Sequence, residues 1–349
     1  MPDTTIEQPV IDFYTYPPVG TDDWRYLSQT AQVRMLETHL LSKATLLDMT
    51  NAETFEQAAD FLSNTEYALP PAKDRFAELE NTLKIRRQAL RALFAELMIS
   101  KAVVKLFRTR DDFANLRLII RRMLTKKSLG DDYSSDGNVS PQQLKEVFEQ
   151  ENYGILPDYM QQTAESAVLA YYQTKDIRQI DYAIDNIQAQ YNLKMAGKLN
   201  SIFLLGLFRI QIDLTNIRTM LRLKFTRAQP EFDLDKVFLK GGYIAIERLE
   251  HGLTVGYESL GTLFFVTPYC RVVEAGANYL SSNKSFLKLE QQCDEHFIEF
   301  LRSTIQIVTG PQPIIAYFLM KENEVRTVRL ILTAKKNHLD TKLILDCIS

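Results

Sequence analysis

The chain has 349 residues, of which 46% are hydrophobic, and its formal net charge is −3. This length accommodates two or three domains with apolar cores, and the small negative charge is not that of a nucleic-acid-binding protein. With only 13 glycines and 12 prolines the composition favours helix, so we expect an all-α protein; no apolar run reaches the roughly 18 residues of a membrane span.

The N-terminal segment, 1–23, precedes the first predicted helical repeat. Its opening residues lack the basic and then apolar layout of a secretory signal. Three cysteines, Cys270, Cys293 and Cys347, are too few for a disulfide framework. These features together lead us to expect a protein of the reducing cytoplasm.

Two segments of the chain, 101 residues apart, repeat one pattern. Residues 106–125 and 207–226 share eight identities without a gap. The identical positions are Leu106/Leu207, Phe107/Phe208, Arg108/Arg209, Asp112/Asp213, Asn115/Asn216, Arg117/Arg218, Arg121/Arg222 and Thr125/Thr226. A looser third copy, a further 111 residues on, comprises Leu319, Glu324, Thr327, Arg329 and Thr333. The repetition predicts three tandem helical repeats, at 24–130, 131–230 and 231–349.

Each copy of the pattern is predicted to lie on an amphipathic helix. In the first copy, Phe113, Leu116 and Ile120 recur at helical spacing, and Asp112 lies beside this apolar arc near the expected start of the helix. Asp112 and Arg117 are five positions apart, about 140° around a helix, so they should not pair with each other. We expect each to meet a neighbouring helix or a free backbone end instead.

The repeated polar positions divide into two groups. The acid, the following polar residue and the first arginine are present in every copy, so we interpret them as a repeated structural motif: Asp112, Asn115, Arg117, Asp213, Asn216, Arg218, Glu324, Thr327 and Arg329. The second arginine, Arg121 or Arg222, is replaced by Thr333 in the third copy. That slot is therefore dispensable for the fold and is the candidate partner interface.

The repeats are predicted to extend upstream and to be separated by polar loops. An apolar-acidic pair opens a helical stretch before each copy, at Leu79-Glu80, Ile180-Asp181 and Leu289-Glu290. Breaks are expected at residues 128–140 and at Gln229-Pro230, and residues 140–143 form a capping box that opens the next helix. After Pro230 several glycines punctuate short helices, and residues 263–266 could pass for a strand.

Three kinds of site compete with structural explanations. Residues 132–143 imitate a calcium loop, but Gln143 stands where a bidentate Glu normally closes the site, so the capping box is the preferred explanation. Cys293 and His296 have the spacing of half a zinc site without a second pair of ligands, which favours a surface histidine beside a buried thiol. No phosphate loop ending in Gly-Lys-Ser/Thr is present. We therefore expect no catalytic residues, no cofactor and no metal.

A cluster of basic residues at 101–127 leaves a second function class open. Nine lysines and arginines stand there against two acids, as would suit a helical RNA-binding scaffold. Bases near helix C-termini also suit the helix dipole and stay solvated, which is the simpler explanation. A scaffold for other proteins would equally explain the three repeats.

The sequence also resembles a known family at both ends. The run 316–340, preceded by Gly310-Pro311-Gln312-Pro313-Ile314, and the N-terminal Tyr26, Arg34, Leu40, Leu41 and Ser42 with the stretch 61–67 carry the likeness. They are similar to the C subunit of archaeal and bacterial V/A-type rotary ATPases, the counterpart of the d subunit of vacuolar ATPases. The resemblance extends from about Trp24 to Asp340.

The resemblance implies a non-catalytic protein of defined shape and partners. It implies three pseudo-repeated helical bundles arranged as a funnel, which caps the membrane proteolipid ring and receives the central shaft. The expected partners are ring and shaft subunits, with no nucleic acid and no membrane span of its own. The expected location is cytoplasmic, peripheral to the membrane through the complex.

Overall fold

The computed structural model describes residues 16–70, 74–226 and 234–348, which are helical and contain no β-strand, confirming the all-α prediction. Residues 1–15 of the predicted N-terminal extension and the predicted Gln229-Pro230 break lie outside these ranges. The α-helices are α1 (Leu27–Glu37), α2 (Lys43–Asn51), α3 (Phe55–Asp60), α4 (Arg75–Leu97), α5 (Lys101–Leu124), α6 (Pro141–Glu149), α7 (Asp158–Thr174), α8 (Arg178–Lys198), α9 (Ile202–Thr226), α10 (Leu234–Val237), α11 (Ile246–Thr254), α12 (Leu260–Phe264), α13 (Cys270–Asn283), α14 (Leu287–Arg302), α15 (Pro311–Lys336) and α16 (Thr341–Ile348).

The chain divides into two compact units. One comprises Ser100–Thr254 and contains two copies of the repeated pattern, on α5 and α9. The other joins Asp12–Ile99 with Val255–Ser349 and contains the third copy, on α15. The second unit is therefore made from two stretches of chain that are far apart in sequence.

In the first unit, α5 packs against α7 and α8, which also pack against each other. Its apolar face, with Phe113, Leu116 and Ile120, shares a core with residues of α6, α7 and α8. The helix α9 packs against α8 and α11. The apolar arc predicted for α5 is thus the face that it buries, as expected when tertiary packing stabilises an amphipathic helix.

In the second unit, α15 packs against the N-terminal helices α1 to α4. Val325, Val328, Ile331 and Leu332 share one core with Met49 and with other buried residues of α2, α3 and α4. Nearer the start of α15, Phe318 stacks on Phe94 of α4 with 4.4 Å between ring centroids. The C-terminal motif helix therefore packs against four helices from the N-terminal part of the chain and also against the C-terminal helices α14 and α16.

Local signals in the sequence explain several helix ends. The Ser140 hydroxyl accepts a hydrogen bond from the Gln143 backbone N–H and Pro141 is the first residue of α6, so the predicted helix start is confirmed. The strand suggested for residues 263–266 is wrong. Leu263 and Phe264 are the last residues of α12, and Phe265 and Val266 form a turn. Four apolar residues are too few to distinguish a strand from the end of a helix.

None of the helices in the described ranges combines the length and the apolar character needed to cross a membrane.

Candidate functional site

The acids of the repeated pattern are buried in the middle of long helices. Asp112 and Asp213 have no exposed surface and Glu324 is 7% exposed. Asp112 lies eleven residues after the first residue of α5, so the expectation that it stands near the helix start is wrong. A carboxylate in such a place requires compensating hydrogen bonds from groups outside its own helix.

Asp112 receives these bonds from the loop that leads into α6. Its Oδ1 accepts from the backbone N–H groups of Asn138 at 2.8 Å and Val139 at 3.1 Å. Its Oδ2 accepts from the Asn138 side-chain amide at 2.8 Å and from the Tyr159 hydroxyl at 2.6 Å. Burial and the hydrogen bond to this carboxylate raise the pKa of Tyr159 above its ordinary value.

Asp213 repeats the arrangement in the loop that leads into α11. Its two carboxylate oxygens accept from the backbone N–H groups of Tyr243 and Ile244, both at 3.0 Å. The backbone bonds of the first copy thus recur at the corresponding place 101 residues later, on α9.

Glu324 performs the same task in the second compact unit with a partner from the N-terminal region. Its Oε2 accepts from the Leu41 backbone N–H at 2.5 Å, and its Oε1 accepts from the Tyr67 hydroxyl at 2.7 Å. Leu41 precedes α2 in the chain. The third acid therefore binds the segment that leads into α2, far earlier in the sequence.

The three bound segments have the same register. Val139, Ile244 and Leu41 each lie two residues before the first residue of the following helix, which is α6, α11 and α2 respectively. All three are branched aliphatic residues. Each motif acid therefore holds the chain at the same point, immediately before a helix begins.

The motif asparagines also form hydrogen bonds with the same loops. The Asn115 side chain donates to the Ser134 carbonyl and accepts from the Ser134 N–H, both at 2.8 Å. Asn216 makes the same two bonds with Leu239, again at 2.8 Å. In the third copy Thr327 instead donates to the Asn323 carbonyl of its own helix.

Two glycines let the loops approach the aspartates. A Cβ atom at Gly137 would lie 2.3 Å from Asp112 Oδ1, and one at Gly242 would lie 2.1 Å from Asp213 Oδ1. Each glycine stands two positions before the bound aliphatic residue. The corresponding position before Leu41 is His39.

The first motif arginine pairs with carboxylates on a neighbouring helix. Arg117 of α5 pairs with Asp185 of α8 and lies 3.7 Å from Asp181. Burial raises the pKa of Asp185, and the positive charge of Arg117 partly offsets this. In the third copy, Arg329 Nε donates to Glu80 Oε1 of α4 at 2.8 Å.

The second arginine also contacts its own bundle. The side chain of Arg121 is 42% exposed, and it pairs with Asp181 of α8. Arg218 and Arg222 lie on the surface-facing part of α9, the first half-buried and the second exposed. The partner-facing role of Arg121 and Arg222 stays a prediction.

The third copy contains an additional buried charge. Lys321, whose side chain is 5% exposed, pairs with Glu324 and with Glu66. Its ammonium group also lies 5.0 Å from the centre of the Tyr67 ring. The first two copies have Thr109 and Ile210 at the same distance before the acid, so this cluster is specific to the third copy.

The structure explains the two metal-like patterns by other contacts. In the loop 132–143, Asp132 pairs with Arg122 at 2.6 Å and the Ser134 hydroxyl donates to Asp111 at 2.9 Å. His296 is 7% exposed, so the expected surface histidine is wrong: it lies between the rings of Tyr16 and Tyr269. No group of three or more potential metal ligands occurs in the part of the chain that the structure describes.

Comparison with known proteins identifies the family of this chain. The family model described as ATP synthase (C/AC39) subunit matches residues 29–346, nearly the whole chain. The chain belongs to the ATP synthase (C/AC39) subunit family. This membership confirms the resemblance seen in the sequence, and the three motif helices all lie inside the matched range.

Three named relatives align with this chain along most of their length. The C subunit of the V-type sodium ATPase of Enterococcus hirae is 25% identical over 308 residues, which cover 88% of this chain and 92% of that protein. The C subunit of the A-type ATP synthase of Methanococcoides burtonii is 22% identical, covering 91% and 92%. That of Thermococcus onnurineus is 24% identical, covering 88% and 86%.

Several residues around the motif acids are not marked by the 101-residue sequence repeat. Gly137 and Gly242 are 105 residues apart, outside the gapless 101-residue alignment, so the repeat pattern does not pair them. Lys321 and Glu66 are not repeated at all. Aligning the loops backwards from the next helix start pairs the two glycines.

Proposed function

We propose that this chain is the non-catalytic central-stalk connector of a V/A-type rotary ATPase, joining the membrane proteolipid ring to the central shaft. In this role it transmits torque between the two and has no enzymatic activity of its own. The complex is membrane-associated, and the chain is held at the cytoplasmic surface through the ring subunits. The resemblance also implies that its three bundles form a funnel.

The observation that carries the proposal is the extent of the family match. The C/AC39 family model spans residues 29–346, and each of the three relatives aligns over at least 86% of its own length. Full-length alignment supports a shared role in the complex more strongly than a match to one repeat would. The three relatives carry names of two kinds, one being the C subunit of a V-type sodium ATPase and two being C subunits of A-type ATP synthases.

The internal contacts support a mechanical role. Long helices supply stiff elements, and in the described ranges several loops between them are fixed by buried carboxylates and amides. Such a body resists deformation because each backbone bond to a buried acid is expensive to lose. A connector that passes torque requires this property more than it requires a reactive side chain.

The RNA-scaffold alternative has less support. Three of the bases in the stretch 101–127, Arg117, Arg121 and Arg122, form ion pairs with aspartates of the same chain. A phosphate backbone would have to compete with these pairs. The basic stretch is therefore used at least in part inside its own unit.

The test is the composition and coupling of the ATPase in native membranes. The complex would be purified through a tagged catalytic subunit, and its components identified by mass spectrometry. The expected result is that this chain copurifies, and that its deletion abolishes ATP-driven ion uptake while the detached catalytic sector still hydrolyses ATP. Absence of the chain from the complex, together with normal ion uptake in the deletion strain, would refute the connector role.

A further inference from the structure

We propose that Asp112, Asp213 and Glu324 are joints between a motif helix and a loop, in which the length of the acid side chain matches the size of the loop residue that faces it. Each acid fixes the point at which the helix after its loop begins, and passes load into that helix. The fixing of the helix start concerns the fold alone. The passing of load rests on the proposed connector function.

The first support is that three separate acids hold one register. Each binds the backbone N–H located two residues before a helix, at Val139, Ile244 or Leu41. An N–H just outside the first turn has no intrahelical carbonyl to accept it. A buried carboxylate supplies that acceptor, and through it the helix start is tied to the middle of a motif helix.

The second support is the match between acid length and loop size. The two aspartates face glycines, Gly137 and Gly242, whose missing Cβ atoms would lie within 2.3 Å of the carboxylate. Glutamate is longer by one carbon–carbon bond, about 1.5 Å. The copy that uses the longer acid, Glu324, has His39 in place of the glycine.

The acid and the loop residue therefore occur as two combinations, aspartate with glycine and glutamate with a larger residue. A general need for a buried negative charge would not select the acid's length. A joint that sets the distance between a helix axis and a loop would select it. This is the reason to regard the acids as positioning residues.

The first experiment measures whether glycine and acid act as a pair. Hydrogen exchange of the Asn138 and Val139 amides would be followed in the full chain for Gly137→Ala, Asp112→Ala and the double variant. Gly197→Ala is the matched control, because a Cβ there meets nothing within 4 Å.

The joint predicts strongly non-additive effects. Gly137→Ala should speed exchange of the two amides at least about tenfold, since it displaces the carboxylate that protects them. In the Asp112→Ala background the same glycine change should add less than about twofold, and Gly197→Ala should change neither amide. Additive effects, or unchanged exchange in Gly137→Ala, would overturn the joint.

A second pair of variants covers the case in which the Asp112 variants fail to fold. Glu324→Asp keeps the charge and both acceptor oxygens but shortens the reach, whereas Glu66→Gln removes a nearby charge and leaves the contact between Glu324 and Leu41 in place. The joint predicts at least about tenfold faster exchange at Leu41 in Glu324→Asp and less than about twofold in Glu66→Gln. If Glu66→Gln speeds exchange as much as Glu324→Asp, charge and not length is what matters, and the inference fails.

Load transfer is tested in the assembled ATPase. Membranes carrying Gly137→Ala should show fewer ions transported per ATP hydrolysed than membranes carrying Gly197→Ala, at equal amounts of chain in the complex. Equal ratios would overturn the load-bearing part. If even the parent chain is absent from the complex, the connector function fails, and the joint is decided by the exchange data alone.

Discussion

Arg329 on α15 donates from its Nε to Glu80 on α4, 249 positions earlier in the chain, at 2.8 Å. The pair occupies the slots of Arg117 and Asp181, which also approach each other, at 3.7 Å. One arginine-to-acid contact thus recurs between a motif helix and the helix that packs beside it. The two examples differ in exposure, because the Arg329 side chain is 58% exposed and that of Arg117 is 33% exposed.

This difference predicts unequal effects on stability. Arg329→Gln should lower the free energy of unfolding by less than about 1 kcal/mol, as for other exposed ion pairs. Arg117→Gln should lower it by about 1 to 2 kcal/mol, because Asp181 and the half-buried Asp185 would lose a cation that they share. Urea unfolding of both variants checks the order, and equal losses would contradict it.

The second arginine should affect assembly more than folding. Arg121→Gln keeps most of the side-chain volume and removes one partly exposed ion pair, so the melting temperature should fall by only a few degrees. Binding to the rest of the ATPase should weaken and become less sensitive to salt. A pull-down at two ionic strengths measures this; Thr333→Ala, at the matching slot of the third copy, is the control that should leave binding unchanged.

The hydrogen bonds that the motif asparagines make to the loops predict a difference in stability between variants of the first and third copies. Asn115→Ala removes a side chain that makes two hydrogen bonds to the Ser134 backbone, so the free energy of unfolding should fall by about 1 to 3 kcal/mol. Thr327→Val removes only a hydroxyl bonded to its own helix and should cost less than about 0.5 kcal/mol. Similar losses would mean that the loop contact contributes little.

The buried charge cluster should depend strongly on its lysine. Lys321→Met would leave the Glu324 carboxylate buried without its cation, at an expected cost of about 3 kcal/mol or more. Glu66→Gln is the matched test, because that side chain is 40% exposed and its loss should be milder. Thermal unfolding of the two variants distinguishes them; a milder effect for Lys321→Met would show that the cluster is not cooperative.

His296 predicts a pH dependence of stability. Burial lowers its pKa from 6.5 to about 4, and among the described residues its Nε2 has no hydrogen-bond partner. The unfolded chain therefore binds a proton at a higher pH than the folded chain does. Stability from this group is complete above about pH 6.5 and is lost progressively as the pH falls toward 4, by up to roughly 3 kcal/mol.

The control for this effect is His296→Phe, which keeps a ring between Tyr16 and Tyr269 but cannot titrate. The difference in unfolding free energy between parent and variant should change across pH 6.5 to 4 and be constant above about pH 7. A constant difference throughout would show that His296 does not contribute to the pH dependence of stability.

The sequence predicts the helices well because their signals are local. Phe113, Leu116 and Ile120 mark the buried face of α5, and Ser140 with Pro141 marks the start of α6. The repeat likewise marks the three motif acids as equivalent. The loops that those acids bind were not predictable in detail, because loop and acid meet only through tertiary packing.

The burial of His296 and the strand suggested at residues 263–266 show the same limit. The histidine is enclosed by Tyr16, which comes from the other end of the chain and donates to the His296 carbonyl at 3.2 Å. The short apolar run gives no period long enough to distinguish strand from helix. Contacts between distant segments decide both cases.

The shared core of α15 with α2, α3 and α4 bears on how the protein is made. During synthesis the N-terminal helices leave the ribosome long before α15 exists, so Met49, Phe55 and Leu79 lack the partner that later covers their apolar faces. At ordinary elongation rates the delay over the intervening residues is roughly 10 to 50 s. The nascent chain therefore exposes an incomplete core throughout most of its translation, which makes it a natural client for chaperones. Truncation anywhere before the last motif helix would leave that N-terminal core permanently open.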